Sequence, residues 1–499
     1  MTKWVLGGVL IAAGTAWLAL ARPYDQGDDS PFPYSPVVKL NVVAVDEHGQ
    51  SVADLTREDF QVFDAGKAQH IAYFRRNDVK PLRSMPPGLN ESSNRSGTPL
   101  SQATVILFDL LNARFEDRAY ALSRVIPALQ QIESADSLFF YFLTMDGTLY
   151  PVHPLPDPES TTRVAAKPWT DEVKPLLDGA LRKLFGLRSA NLQVDDRVHM
   201  TYSALGALAS RVAATPGRKS IIWISHGVPI SIPARDGYDG IDYAPLVGRL
   251  TATMDRANVA VYTLRLPGSL GPVSAGSTSS AGFASLETLD EFAGLTGGRS
   301  YGAVDVPRAL AQSAADARLS YLIAYDPPLD KWDGKYHKIR VVCSRKGVRL
   351  QTKQGYYAFE ANAHEGDLEK AAFETAISSP FDTPEIGLNA KLVPSATIQG
   401  DMNLEIRIDA ADVRLAREGD IFTGQMVVGV AGYLASGRAD AEPTSIFAPR
   451  LSPSERERAL QQGLFVVRNI NVPAAMRKIR VMVYDRASGA LGSLTLPVQ

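Results

Sequence analysis

The feature that most constrains the fold is an alternation of short apolar runs with helical periods over residues 102–326. The runs TVILFD, LFFYFL, SIIWIS, VAVYTL and LSYLIAY have the continuous hydrophobicity of strands buried on both faces. Apolar residues at helical spacing lie between them, near 119–132, 171–187, 199–213, 244–257 and 285–295. Strands separated by helices predict a mainly parallel sheet covered on both faces, so we predict a doubly wound α/β domain here.

The regions on either side of this segment have the composition and turn signals of β-strands. Residues 37–76 contain VVKLNVVAV, FQVF and HIAYF around two turns, and residues 327–358 contain a hairpin around the turn SRKG. A two-stranded hairpin is marginal in water. We therefore predict that residues 327–358 pair with 37–76 in one small β domain, into which the α/β domain is inserted. Residues 77–101 are rich in Pro, Ser and Asn and are predicted to be a linker.

The last third of the chain is predicted to be a second β region. A charged helix and linker occupy residues 359–379, and residues 380–499 contain the strand-like runs MNLEIRIDA, GLFVVRNINV and KIRVMVYD between turn-rich segments. A short helix in this region has two candidate N-caps, Ser452 and Ser454. The pattern favours a C-terminal β-sandwich.

The first residues have the pattern of an export segment. Lys3 precedes an uncharged apolar run from Trp4 to Ala21, and Ala19 and Ala21 form an A-x-A cleavage pattern. The run is also long enough to remain in a membrane. Residues 1–21 are thus predicted to be a signal peptide or an anchor, with a tether through residues 4–21 as the alternative. We expect an extracytoplasmic protein that is periplasmic, secreted or membrane-anchored.

Composition excludes several classes of protein. Hydrophobic residues make up 45% and charged residues 21% of the chain, a balance that is typical of folded domains. Lys and Arg total 52 against 54 for Asp and Glu, so no net field attracts nucleic acid. Cys343 is the only cysteine and forms no internal disulfide.

Several segments together resemble a known family. LNVVAVDEHGQSVADLTREDFQVFDAGKAQHIAYF, PGRKSIIWIS, TLDEFAGLTGGRSYG and KWDGKYHKIRVV resemble the bacterial von Willebrand factor A-related proteins of acidobacterial type, over residues 37–358. The resemblance implies a von Willebrand factor A-like (VWA-like) α/β domain, export from the cytoplasm, and a role in protein interaction or adhesion rather than in catalysis.

Candidate site residues follow the predicted parallel strands, because ligands of open α/β sheets bind beyond the carboxyl ends of the strands. The polar residues at these positions are Asp109, Asn112, Asp146, Ser225, His226 and Arg265. Asp146, Ser225, His226 and Arg265 are candidates for a ligand-binding rim.

The resemblance also implies a metal site, a metal-ion-dependent adhesion site in which an Asp-x-Ser-x-Ser loop, a Thr and a second Asp hold Mg²⁺. Asp109 matches the first Asp, Thr201 matches the Thr, and Asn112 offers an oxygen. Leu111 and Ala113 stand at the two Ser positions.

In addition, His226 stands in place of the second Asp. This chain therefore keeps only part of the ligand set. We expect a degenerate site without a cofactor, in which Asp109 caps a helix or bonds loop amides. Mg²⁺ is the alternative, and a transition metal held by His226 and Asp109 is a weaker one.

No catalytic motif accompanies these residues. The sequence contains neither H-E-x-x-H nor G-x-S-x-G, and adjacent residues of a strand, such as Ser225 and His226, point to opposite faces. We predict that the protein is not an enzyme and that it binds a protein partner in the cell envelope or outside the cell. A structural envelope component that assembles through its β domains and a metal-dependent hydrolase are the alternatives.

Overall fold

The structure, a computed structural model, describes residues 38–78, 87–95, 103–113, 138–153, 193–213, 218–232, 240–265, 280–302, 306–327, 333–358, 365–378, 382–395, 401–434, 439–442 and 444–498. The predicted export segment, the predicted helices near 119–132 and 171–187, and most of the predicted linker lie outside these residues.

The described residues form 28 strands, six α-helices and a short 3-10 helix, Arg57–Asp59. The strands of the first two thirds are β1 (Val38–Val45), β2 (Phe60–Asp64), β3 (Lys67–Gln69), β4 (Tyr73–Asp78), β5 (Ser92–Ser93), β6 (Thr104–Asp109), β7 (Leu138–Leu143), β8 (Leu149–His153), β9 (Lys219–Ser225), β10 (Ser231–Ile232), β11 (Ile241–Asp242), β12 (Val259–Arg265), β13 (Ser300–Tyr301), β14 (Leu319–Tyr325), β15 (Tyr336–Cys343), β16 (Arg349–Gln351) and β17 (Gly355–Tyr357). The remaining strands are β18 (Leu388–Pro394), β19 (Asp401–Ile408), β20 (Ala416–Glu418), β21 (Ile421–Thr423), β22 (Met426–Leu434), β23 (Ala439–Ala441), β24 (Ser445–Phe447), β25 (Arg450–Leu451), β26 (Leu464–Asn471), β27 (Met476–Asp485) and β28 (Ala490–Pro497). The helices are α1 (Val194–Val212), α2 (Ala244–Arg256), α3 (Ser280–Thr296), α4 (Val306–Arg318), α5 (Glu365–Ser378) and α6 (Pro453–Gln462).

The predicted fold class, a doubly wound and mainly parallel α/β sheet, is wrong. Six of the seven sheets among the described residues are antiparallel throughout, and the seventh, in the order β13-β12-β9-β6-β7-β8, is mixed because β8 runs antiparallel to β7. The physical reason is that a continuous apolar run reports burial of a strand on both faces. It does not report the direction of the neighbouring strand.

The six-stranded sheet has its apolar core between strands and helices. Every residue of β6, β7 and β9 is buried, and Trp223 packs edge-on against Phe292 of α3 at 5.8 Å. β6 pairs in parallel with β7 and with β9, so Asp109, Leu143 and Ser225 end their strands at one edge of the sheet.

The strand LSYLIAY shows the error in the predicted direction most clearly. It is β14, and it was predicted to be the last strand of the parallel sheet. It pairs instead antiparallel with β1 and with β4, in the sheet β16-β1-β14-β4. A second sheet, β17-β15-β2-β3, joins β15 antiparallel to β2. Both sheets share one apolar core that includes Leu40, Phe60, Tyr321 and Ile339.

The C-terminal region differs from the predicted two-sheet sandwich. Its strands form the sheet β26-β19-β18-β5, a five-stranded sheet around β22, β27 and β28, and a third sheet, β20-β21-β25. β5 comes from residues 92–93, inside the predicted linker, and Arg95 beside it bonds Asp409 at 3.3 Å and Asp412 at 2.7 Å. Ser92 and Ser93 lack an apolar pattern, so this strand was not predictable from the sequence.

Local signals at helix ends behaved as predicted. Ser452, not Ser454, is the N-cap of α6, and it forms a capping box with Glu455. α3 ends before Gly297, which has φ of 75°, and the Gly298 amide donates to the Ala293 carbonyl at 2.9 Å. No helix among the described residues is both long and apolar enough to cross a membrane.

Candidate functional site

The candidate site is built around Asp109, the last residue of β6, which is 0% exposed. Its Oδ1 accepts the backbone N–H of Asn112 at 2.9 Å. Its Oδ2 accepts hydrogen bonds from Asn112 Nδ2 at 2.8 Å, Trp223 Nε1 at 3.1 Å and Ser225 Oγ at 2.7 Å. A single carboxylate thus ties the loop after β6 to β9, the neighbouring strand.

Asn112 extends this network to helix α1. Its Nδ2 also donates to Thr201 Oγ1 at 2.7 Å, and its Oδ1 accepts from Arg197 Nε and Nη2 at 3.1 and 3.0 Å. The Thr201 hydroxyl donates in turn to the Arg197 carbonyl at 2.7 Å. The structure therefore brings together Asp109, Asn112 and Thr201, which we predicted to meet, and adds Arg197 to them.

Hydrogen-bond donors surround the oxygen atoms that would serve a metal. A carboxylate has about four lone-pair positions, and Asp109 uses its two oxygens for four donors. Asn112 Nδ2 lies between the Asp109 and Thr201 oxygens, and the Arg197 guanidinium holds the Asn112 oxygen. A hard cation needs these oxygens as ligands, so the residues do not fit Mg²⁺ in this arrangement. The described residues contain no group of three or more His, Cys, Asp and Glu side chains that is placed to hold a metal.

The other candidates lie around this network and do not join one site. Ser225 belongs to the Asp109 network, and its Oγ also accepts the Gly227 N–H at 2.9 Å. His226 is half-buried on the next position of the chain. Arg265 Nη2 lies 3.2 Å from the Asp290 carboxylate, which is 60% exposed.

Asp146 forms a separate turn after β7. Its Oδ1 accepts hydrogen bonds from the Thr144 hydroxyl and from the Thr148 amide, and the side chain is exposed. The Thr144 hydroxyl and the Thr148 amide hold the pKa of Asp146 below its usual value, because they stabilise the charged form. Asp146 therefore presents a carboxylate to solvent at the rim of the sheet.

Arg197 and Trp223 are functional members of the network that sequence reasoning missed. Arg197 lies four residues before Thr201 on α1, on the same helix face. Trp223 lies two residues before Ser225 on β9, on the same strand face. Both spacings were readable in the sequence once Thr201 and Ser225 were singled out.

Searches with the sequence against protein-family models and against curated proteins give no match.

Proposed function

We propose that this chain is a non-catalytic, exported binding protein that contacts a protein partner through the rim around Asp109. The rim consists of the described residues that follow β6, β7 and β9, together with Arg265 at the end of β12, and it includes Asp146 and His226. Asp109 is a positioning residue in this proposal, since it fixes the loops without contacting the partner. The export signal and the family resemblance in the sequence support the same class of function.

The saturated carboxylate of Asp109 carries this proposal. A general base or a nucleophile needs a free lone pair or a base next to a free hydroxyl. Here the Ser225 hydroxyl donates a hydrogen bond to Asp109 Oδ2 at 2.7 Å, and that carboxylate accepts four hydrogen bonds in all. A rigid polar network below an exposed charged rim suits recognition of another protein better than turnover of a substrate.

Partner capture tests the binding surface directly. The full chain serves as bait in envelope extracts, beside a variant with Asp146→Ala and Arg265→Ala and a control with Lys391→Ala on β18. We expect a partner that the wild type and the control retain equally and that the rim variant loses. Equal retention by all three proteins would exclude the rim as the binding surface.

Metal titration and turnover assays test the non-catalytic part. We expect no saturable heat when Mg²⁺, Mn²⁺ or Zn²⁺ is titrated into the wild type, because Asp109 and Asn112 already hold structural hydrogen bonds. Saturable binding that Asp109→Ala abolishes would overturn the closed site. Hydrolysis of ester or peptide substrates that His226→Ala abolishes would overturn the non-catalytic assignment.

A second candidate function, self-assembly of an envelope component, draws on strand β26. This strand is at the edge of its sheet, and Phe465 and Val467 on it are 37% and 43% exposed. An exposed apolar edge strand is a template for pairing with another strand. Sedimentation of the wild type against Val467→Lys tests it: an oligomer that the lysine dissociates supports assembly, and a monomer in both cases rejects it.

A further inference from the structure

The two sheets of the N-terminal β region, β16-β1-β14-β4 and β17-β15-β2-β3, share a core that contains a buried carboxylate. This carboxylate is Asp64, the last residue of β2, which is 1% exposed. Its Oδ2 accepts hydrogen bonds from the Tyr325 hydroxyl at 2.9 Å and from the Tyr356 hydroxyl at 3.0 Å. Tyr325 belongs to β14 in the first sheet and Tyr356 to β17 in the second, so Asp64 joins the two sheets.

The second oxygen of Asp64 lacks a hydrogen bond. Oδ1 is buried and has no hydrogen-bond partner among the described residues. His337 of β15 is the only basic side chain of the described residues within 4.0 Å of this carboxylate, and its Nδ1 lies 3.6 Å from Oδ1. That separation suits an ion pair but is too long for a hydrogen bond. Because a buried carboxylate is costly without a paired cation, the charge of His337 decides how well Asp64 is compensated.

The other ring nitrogen of His337 faces a second carboxylate. Its Nε2 lies 3.2 Å from Oδ1 of Asp333, in the segment before β15. The ring also stacks on Tyr356, with centroids 5.3 Å apart and an angle of 27° between the planes. The imidazole of His337 is therefore held between two carboxylates.

The number of N–H groups on an imidazole depends on its protonation. A neutral ring carries one N–H group and one lone pair, whereas an imidazolium carries two N–H groups. A neutral His337 thus turns a lone pair toward one of the two carboxylates, and the imidazolium turns an N–H group toward both. Imidazole is also the side chain that ordinarily changes charge between pH 5 and 8.

The groups around the ring keep their own charge states in that pH range. The Lys335 amide holds the pKa of Asp333 below its usual value, so this carboxyl is charged. Burial first, and the charge of Asp64 next, raise the pKa of Tyr325 and of Tyr356, so both hydroxyls keep their protons.

Two lysines stand on the segments around the ring. Lys335 precedes β15 and is exposed to solvent. Lys353 Nζ lies 5.9 Å from the centroid of the Tyr356 ring and forms an ion pair with Asp255 at 2.7 Å. Neither lysine lies within 4.0 Å of Asp64, so His337 is the group whose charge changes beside it.

We propose that His337 is a proton-dependent clamp between the two N-terminal sheets, closed when the ring is protonated and released when it is neutral. The stabilisation is present at low pH and is lost as the pH rises, because only the imidazolium serves both carboxylates. This clamp does not depend on the partner surface around Asp109.

The clamp acts on β17 and, through it, on the six-stranded sheet. β15 pairs with β17 at His337 and Tyr356. The next residue of β17, Tyr357, packs against the core of the six-stranded sheet that contains Trp223. Rising pH therefore loosens the contact between the N-terminal β region and the six-stranded sheet.

Hydrogen exchange of the full chain tests the clamp. Exchange of the β17 amides is measured at pH 5.5 and at pH 8 and corrected for the intrinsic pH dependence of amide exchange, with β19 as the internal reference. In the wild type we expect β17 to open at least about tenfold more often at pH 8, because a hydrogen bond to a charged group is lost. β19 should show no such change.

His337→Gln removes the titrating ring and keeps an amide N–H group for a carboxylate. We expect β17 to open equally often at both pH values in this variant. His48→Gln is the matched control, because His48 is exposed in the turn after β1, and it should keep the wild-type change. The proposal fails if His337→Gln keeps that change, or if β17 of the wild type opens equally at both pH values.

Asp333→Asn provides a milder variant at a side chain that is 38% exposed. A carboxamide donates or accepts, so a neutral ring then satisfies both of its neighbours, and we expect the pH effect on β17 to shrink at least about threefold. An unchanged effect would reject a clamp that needs two carboxylates.

Discussion

The two ends of the six-stranded sheet satisfy their buried polar groups in opposite ways. At the carboxyl end, the Asp109 carboxylate is 0% exposed and accepts four hydrogen bonds from its own chain. At the amino end, Arg218 is 2% exposed and its Nε and two carboxamide oxygens have no partner among the described residues. The carboxylate of Asp109 is thus fully hydrogen-bonded, whereas the buried polar atoms around Arg218 are not.

The difference concerns where unsatisfied polar groups remain in the sheet. A network that is already saturated gains nothing from a new partner, whereas an unsatisfied buried group gains the hydrogen bond that it lacks. The carboxyl end, whose residue types resemble a metal-ligand set, is therefore the end with less capacity for binding an ion.

The largest expected effect comes from Asp109→Asn. The amide nitrogen would replace one of the two acceptor oxygens, so at least one of the four donors would lose its acceptor inside the protein. We expect the free energy of unfolding to fall by about 3 kcal/mol in urea denaturation. Asp290→Asn, in an exposed ion pair, is the control and should change it by less than about 0.5 kcal/mol. Equal effects of the two substitutions would show that the Asp109 network contributes no more stability than an exposed ion pair.

The next effect concerns Lys219, a buried cation at the amino end whose pKa burial lowers to about 8, with Glu385 acting in the opposite direction. The unfolded chain keeps this proton up to a pH near 10.5, so it binds more protons between these values and stability rises with pH there. Stability should therefore rise by about 2 kcal/mol from pH 7 to pH 9.5 in the wild type, and Lys219→Met should remove this rise.

Denaturation at pH 7 and at pH 9.5 measures this rise for the wild type and for Lys219→Met. Lys370→Met, on an exposed side chain of α5, serves as the control and should leave the rise unchanged. An equal rise in Lys219→Met and in the wild type would show that the ammonium of Lys219 is not its source.

A smaller effect is expected from Arg197→Gln. The variant removes the guanidinium that bonds Asn112 Oδ1, in a half-buried position, and should lower the free energy of unfolding by about 1 kcal/mol. Arg249→Gln, on the exposed face of α2, is the control. If Arg197→Gln costs no stability, the guanidinium does not hold the network closed.

The smallest effect is expected from Arg265→Ala. Its ion pair with Asp290 is exposed, so its loss should change the free energy of unfolding by less than about 0.5 kcal/mol. A thermal melt checks this, with Asp109→Asn as the reference for a buried network. A large loss would place Arg265 in the structural core of the rim instead of on its surface.

The sequence predicted where the strands lie along the chain better than it predicted which strands pair. Apolar runs located β6, β7, β9 and β12, because burial on both faces excludes charge from a strand. The pairing of β14 with β1 was not predictable, since the same apolar pattern suits a parallel or an antiparallel neighbour. β5 was missed because Ser92 and Ser93 are placed by hydrogen bonds to β18 and not by hydrophobic burial.

The sequence predicted which residues form the candidate site, but it did not predict their hydrogen bonds. The positions of Asp109, Asn112 and Thr201 followed from strand ends and from the resemblance. Which hydrogen bonds their oxygens accept depends on the donors that fold against them. Two of these donors, Arg197 and Trp223, come from other elements, α1 and β9. The unpaired polar groups at the amino end were not predictable, because Arg218, Asn41 and Asn258 are distant in sequence and ordinary in type.

The pairing of β1 has a consequence for the time course of synthesis. Its residues 38–45 pair with β14 and with β16, which begin only at residues 319 and 349. After it has made β1, a ribosome needs about 15 to 55 s at the usual rates of translation to reach residue 319, where β14 begins. During that interval the apolar segment that will form β1 has no strand to pair with, so its backbone N–H and C=O groups lack their sheet partners. The newly made chain is therefore expected to be a client of holding chaperones until its last third is being synthesised.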